Sequence, residues 1–202
     1  MKAPSRTYTQ TQRAESTLAT RERLLGAATA AFSAAVYEDV TLAAIAKEAA
    51  VSHQTLLNHF ESKEGLFAAV VEGIKESIVD RRAAVEPGSV ARVIGYLMEQ
   101  YEEIGDVNAR YSMTADRFPL IAEAMRFGRE NHREWLAHQL AHRLPRRGRD
   151  RERLLSALHA ATDVYTWKLL RRDIGLSRAE TASTMTMLVE GVLPDGDGTT
   201  GA

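Results

Sequence analysis

Cysteine is absent from this chain, so no disulfide framework and no thiolate metal or catalytic site is available to it. That absence fits a reducing compartment, and the expectation is a cytoplasmic protein. Proline occurs only five times in 202 residues, at Pro4, Pro87, Pro119, Pro145 and Pro194. These positions lie where apolar periodicity stops, as expected of a residue that breaks helices. No apolar run approaches the roughly 20 residues that cross a bilayer, so no membrane partner is expected. The opening "MKAPSRTYTQTQRAESTLATRER" has no apolar centre of the kind a signal peptide carries. Neither sign of charge dominates: 26 Lys and Arg stand against 27 Asp and Glu, a net charge of −1. This excludes a protein that coats nucleic acid indiscriminately, though not one that reads a single short site.

What is present is helical periodicity almost throughout, with no alternating strand pattern, and the fold class is all-α. Residues 1–19 form a polar leader, expected to be a flexible arm. "TRERLLGAATAAF" then places Leu24, Ala28, Ala31 and Phe32 on one face. "TLAAIAKEA" is a short helix with Thr41 as N-cap, and "SHQTLLNHF" a second one with Ser52 as N-cap. A long helix opens at Ser62 and runs to about Val85, with Leu66, Val70, Ile74 and Ile78 as its stripe. Helices are further expected over residues 89–105, 119–144, 154–175 and 177–193, with a shorter piece around Tyr111 and Met113. Residues 195–202 are a frayed tail. The organisation expected is a head over 20–84 and a larger helical domain over 85–194.

The helix from Thr41 to Glu48, a tight turn and the helix from Ser52 to His59 have the spacing of a helix-turn-helix. In that geometry the second helix enters the major groove N-terminus first. His53, Gln54 and Thr55 are its early exposed residues, with Asn58 and His59 one turn on, and Gln pairs bidentately with adenine. Helix starts favour phosphate oxygens, which brings in Thr41, Ser52 and Lys63. Up to Gly65 seven basic residues face seven acidic ones, so binding must rest on placed contacts and on two copies acting together. Arg6 and Arg13 of the leader are minor-groove candidates, against the plainer reading of a solvated arm.

The ordered pattern "LLGAATAAF…TLAAIAKEAAVSHQTLLNHFESKEGLF", from Leu24 to Phe67, resembles the tetracycline-repressor (TetR) family of bacterial transcription regulators. The resemblance implies a DNA-binding head and a helical domain that dimerises and binds a small-molecule effector. It implies a repressor released from a palindromic double-stranded operator when ligand shifts the connecting helix. Three residues depart from the family pattern: Val36 and Ala50, where glycine is usual, and Leu57, where tyrosine commonly meets a phosphate. Alanine in a left-handed turn costs about 1 kcal/mol.

In the larger domain, Phe127, Asn131 and Trp135 form a mixed aromatic and polar stripe. His159 and Asp163 lie on the same side of their helix as Trp167. Met98, Tyr101 and Tyr111 add apolar surface nearby in the family's arrangement. Together these nine are the candidate effector-binding residues, with ordinary core packing as the alternative. No nucleophile, glycine elbow or phosphate loop accompanies His159 and Asp163, so an enzyme is not expected and no catalytic residue or cofactor is assigned. His138 and His142 have the i, i+4 spacing of a metal face, but no third ligand is evident and no metal is expected. Leu158, Ala161 and Tyr165, with Met185, Leu188 and Val189, are candidates for a homodimer seam, against packing within the chain.

Overall fold

The computed structural model describes the backbone of residues 6–194 and the side chains of residues 15–194, and among these no strand occurs. The tail expected over 195–202 and the side chains of Arg6 and Arg13 lie outside the described residues. The chain folds into two compact units, Met1–Glu76 and Ser77–Ala202.

In the first unit, α1 runs Arg6–Ala34, α2 Leu42–Glu48 and α3 His53–Phe60, and α4 begins at Lys63. The arm expected over 1–19 is therefore helical from Arg6. No proline or glycine interrupts the chain between there and Gly26, and its Gln, Arg, Ala, Glu and Leu are good helix formers. The expected core face holds: Leu24, Ala28 and Phe32 of α1 are buried with Ile45, Ala46, Leu56, Phe60, Leu66 and Val70. Each of the larger apolar side chains contributes about 1.5–3 kcal/mol where burial is complete. Phe32, Tyr37 and Phe67 close the unit as an aromatic triangle with ring centroids 4.9–5.9 Å apart. Ile74, expected in the α4 stripe, is exposed.

Helix α4 spans Lys63–Ala83, and the division between the two compact units falls inside it, after Glu76. Its last turns lie in the second unit, where Arg82 is buried against Gln100 and Asn131. There, α5 is one continuous helix, Val90–Ser112, so the break expected after Gly105 does not occur. Helix α6 covers Pro119–Gln139 and stops before the expected residue 144. A 3-10 turn, Ala141–Arg143, follows, and Arg143 is drawn off to Glu190 Oε2 (2.9 Å) and the Pro194 carbonyl (3.0 Å).

The single helix expected over 154–175 is broken. Helix α7 is Arg149–Thr162 and α8 is Val164–Lys168, followed by a π-turn over Leu169–Asp173. Asp163 between them is extended (φ −67°, ψ 152°) and its carboxylate accepts from the Tyr165 N–H at 2.8 Å. Asp is a strong N-cap, and a new helix start there outcompetes continuation. Helix α9, Arg178–Val192, opens with a reciprocal Ser177/Glu180 capping box. The core of this unit gathers Val93, Ile94, Leu97, Leu136, Leu140, Leu158, Trp167, Met185 and Val189.

Candidate nucleic-acid interface and buried polar cluster

Both expected caps form. Thr41 accepts from the Ala44 N–H at 3.3 Å and Ser52 from the Thr55 N–H at 3.0 Å. Each satisfies a helix-start donor and fixes the angle at which α2 and α3 leave their turn. The turn itself needs a left-handed residue, and Ala50 supplies it at φ 54°. Val36, the other non-glycine position, is ordinary extended backbone (φ −70°, ψ 153°).

Helix α3 buries Leu56 and Phe60 and leaves His53, Gln54 and Asn58 exposed, with Thr55, Leu57 and His59 half-buried. Gln54 Nε2 donates to Asn58 Oδ1 at 3.0 Å, and Ser52 and Thr55 share a hydroxyl–hydroxyl contact of 2.8 Å. The exposed face thus carries amide and hydroxyl groups already aligned along one side of the helix, while the opposite face is locked into the core. Glu61 ends the helix with φ 63°. At Gly65 a side chain would collide with the Phe60 carbonyl, so a glycine is required for α4 to start so close to the end of α3.

Lys63 is not a free cation. Its ammonium donates to the Glu38 carbonyl at 3.2 Å and lies 4.5 Å from the Tyr37 ring centre. A phosphate contact from Lys63 would have to exchange these partners.

In the second unit, the effector candidates separate into core and cluster. Met98 and Trp167 are buried in the apolar core. Tyr101 is also buried, and burial pushes its hydroxyl pKa up; that hydroxyl donates to the Thr162 carbonyl at 2.8 Å. Tyr111 is buried, and Phe127 is half-buried. His159 Nε2 lies 3.4 Å from Asp163 Oδ2, but the two are not on one helix face with Trp167, because the helix breaks at Asp163. The metal spacing is lost in the same way, since His138 lies in the last turn of α6 and His142 sits in the 3-10 turn beyond it. Among the described residues no group of three or more His, Cys, Asp or Glu could hold a metal.

Asn131 and Trp135 belong to a cluster centred on Arg82, a residue with no distinguishing mark in the sequence. Arg82 is only 6% exposed, and its guanidinium reaches Asn131 Oδ1 (2.7 Å), His132 Nδ1 (3.2 Å) and Gln100 Oε1 (3.4 Å). It also lies 5.2 Å from the Trp135 ring centre. His132 passes the network on through Nε2 to Thr162 Oγ1 at 2.8 Å, and its ring meets His159 edge-on at 5.0 Å. Burial, then the Arg82 charge, then His159, hold the His132 imidazole well below its ordinary pKa, so it is neutral. Arg82, His132, Gln100 and Thr162 are not conspicuous in the sequence, because charged and amide residues on long helices ordinarily face water. The one available signal is Asn131-His132 beside Trp135, polar residues inside an apolar stripe.

Of the seam candidates, Leu158, Ala161, Met185 and Val189 are buried inside the chain's own core and cannot present a surface. The helix break at Asp163 turns Tyr165 away from Leu158, and Tyr165 and Leu188 remain exposed together with Leu169 and Met187.

Residues 24–70 match the family model described as bacterial regulatory proteins, tetR family. No curated protein matches the chain. Among solved structures, a TetR transcription regulator from Haloarcula marismortui is 18% identical at TM-score 0.70, over 87% of this chain and 98% of that one. A tetR-family transcriptional regulator from Streptomyces coelicolor is 19% identical at TM-score 0.70, over 86% and 78%. A transcriptional regulator from a Rhodococcus species is 21% identical at TM-score 0.68, over 85% and 95%. At these identities the likeness shows a shared fold.

Proposed function

We propose that this chain, whose residues 24–70 match the family model described as bacterial regulatory proteins, tetR family, is a DNA-binding transcription regulator, a repressor acting as a homodimer on a palindromic operator. The observation that supports this reading is the α3 surface: a capped helix whose exposed side carries His53, Gln54, Thr55 and Asn58. Uncharged hydrogen-bonding side chains on a helix start suit base edges better than they suit a phosphate track. Thr41, Ser52 and the start of α4 take backbone contacts, with His59 at the margin. Two copies are needed, because one head offers few contacts and little net charge.

The dimer surface is the apolar patch of Tyr165, Leu169, Met187 and Leu188 on α8, the π-turn and α9, elements that pack on one another. Effector release follows from differential affinity of the ligand for two spacings of the heads. A hundredfold loss of operator affinity requires about 2.8 kcal/mol of that difference. The ligand site is centred on Asn131, Trp135 and His159, and the effector is a small, largely apolar molecule with a few hydrogen-bonding groups. Selection of bound fragments from random duplex DNA, followed by footprinting, tests the proposal. A palindromic footprint from a dimer is expected, and binding without sequence preference would overturn it.

A further inference from the structure

The Arg82 guanidinium is a buried cation with no counter-charge among the described residues. Among the described residues its hydrogen-bond partners are the neutral Asn131, Gln100 and His132, with the neutral Tyr96 hydroxyl also within reach, and it pairs with no carboxylate. The nearby acids are committed elsewhere: Glu103 pairs with Arg81 at 2.7 Å, Glu102 with Arg171 at 2.7 Å, and Asp163 faces His159. Burial works against the Arg82 charge, with only the Tyr101 and Tyr96 side chains acting in its favour. Two buried N–H donors in the same stack also have no acceptor, Arg82 Nε and Trp135 Nε1. Burying a charge without an opposite charge is costly, and each buried donor left unpaired adds to that cost.

We propose that the cluster around Arg82 is an anion receptor, and that the effector carries a carboxylate that pairs with the guanidinium beside the Trp135 ring. This rests on the effector reading given above and adds the chemical class. A carboxylate is the planar, two-oxygen acceptor that a guanidinium fork binds bidentately, and it would occupy donors that the neutral neighbours leave open. Asn131 and Tyr96 are only partly buried, so the anion enters on their side and replaces Asn131 Oδ1 at the guanidinium. The remaining aromatic surface, Tyr96 and Trp135 with ring centres 5.1 Å apart, takes the apolar portion. Arg82 stands in the last turns of α4, the helix that begins at the end of α3. A ligand gripping Arg82 therefore holds the helix that carries the reading head.

The test uses the full chain and two matched pairs of probes, decanoate against decanamide and phenylacetate against phenylacetamide. Binding is read by tryptophan fluorescence and thermal shift. At least one carboxylate should bind at least about tenfold more tightly than its amide, a difference of about 1.4 kcal/mol. Arg82→Met should abolish the preference, and Arg82→Lys, which keeps the charge but loses the fork, should weaken it. Equal binding within both pairs would overturn the inference, as would a preference that survives in Arg82→Met. So would no carboxylate binding at all with Arg82→Met merely lowering Tm, the result expected of a structural fastener. Affinity for selected duplex DNA is measured on the same samples without probe. Its absence would strike the regulator reading and leave the carboxylate preference standing.

Discussion

The indole of Trp167 lies directly against the bare backbone of Gly105: a β-carbon at Gly105 would sit 2.5 Å from Trp167 Cζ3. Both residues are buried, Gly105 in the body of α5 and Trp167 on α8. Intrinsic propensity favours alanine over glycine inside a helix by about 1 kcal/mol. Packing reverses that sign here. Gly105→Ala should destabilise the protein by about 1–3 kcal/mol, the usual cost of overpacking. Chemical denaturation checks it, and an unchanged midpoint would mean that α5 and α8 have slack the structure does not show.

Ala50 invites the opposite substitution. It is exposed and holds φ 54° without glycine's freedom. Ala50→Gly should raise the stability of the head by about 0.5–1 kcal/mol. A denaturation midpoint that falls instead would show that the greater freedom of the unfolded chain outweighs the strain relieved.

On α3, Gln54→Ala should relax sequence preference at one position in each half-site, at about 1–3 kcal/mol per lost bidentate contact. Lys63→Ala should leave the sequence profile unchanged and lower thermal stability, because the ammonium is held by Glu38 and the Tyr37 ring. Competition binding against single-base operator variants, with melting curves, separates the two. Matching profiles for both variants would refute the readout assigned to Gln54.

Two leucines separate seam from core. Leu188→Glu places its charge on an exposed apolar patch and should yield folded monomers with weak operator binding. Leu158→Glu puts a charge at a position with no exposure and should unfold the chain. Sedimentation with circular dichroism distinguishes these outcomes, and an intact dimer for Leu188→Glu and for Tyr165→Glu would reject the patch.

His132 sets a pH dependence. Its folded pKa lies well below the ordinary value of 6.5, while in the unfolded chain it protonates normally. Below about pH 6.5 the unfolded state binds the additional proton, so stability falls as pH drops toward the folded value, and is unaffected above about pH 7.5. His132→Gln should flatten this slope while lowering stability at neutral pH, because Arg82 and Thr162 lose a partner. Urea titrations at about pH 5 and about pH 7.5 measure both effects.

The head is legible residue by residue. Thr41 and Ser52 cap as their positions require, Leu56 and Phe60 face inward, and His53, Gln54 and Asn58 face out. Those features depend on neighbours three or four positions away, which is the range over which periodicity and capping act. The same local rules fail for the leader, whose polar composition suggests an arm while the absence of proline and glycine between Arg6 and Gly26 permits a helix.

The sequence by itself determined the helical class, the helix-turn-helix and the short polar surface on α3, because each is written in contiguous residues. Tertiary structure alone decided the rest. It brought Arg82, Gln100, Asn131 and His132 together from three helices. It also took Leu158 and Met185 into the core and left Tyr165 and Leu188 outside. An apolar stripe shows that a face will be buried. Which neighbour buries it depends on residues far apart in the chain, and no local pattern encodes those pairings.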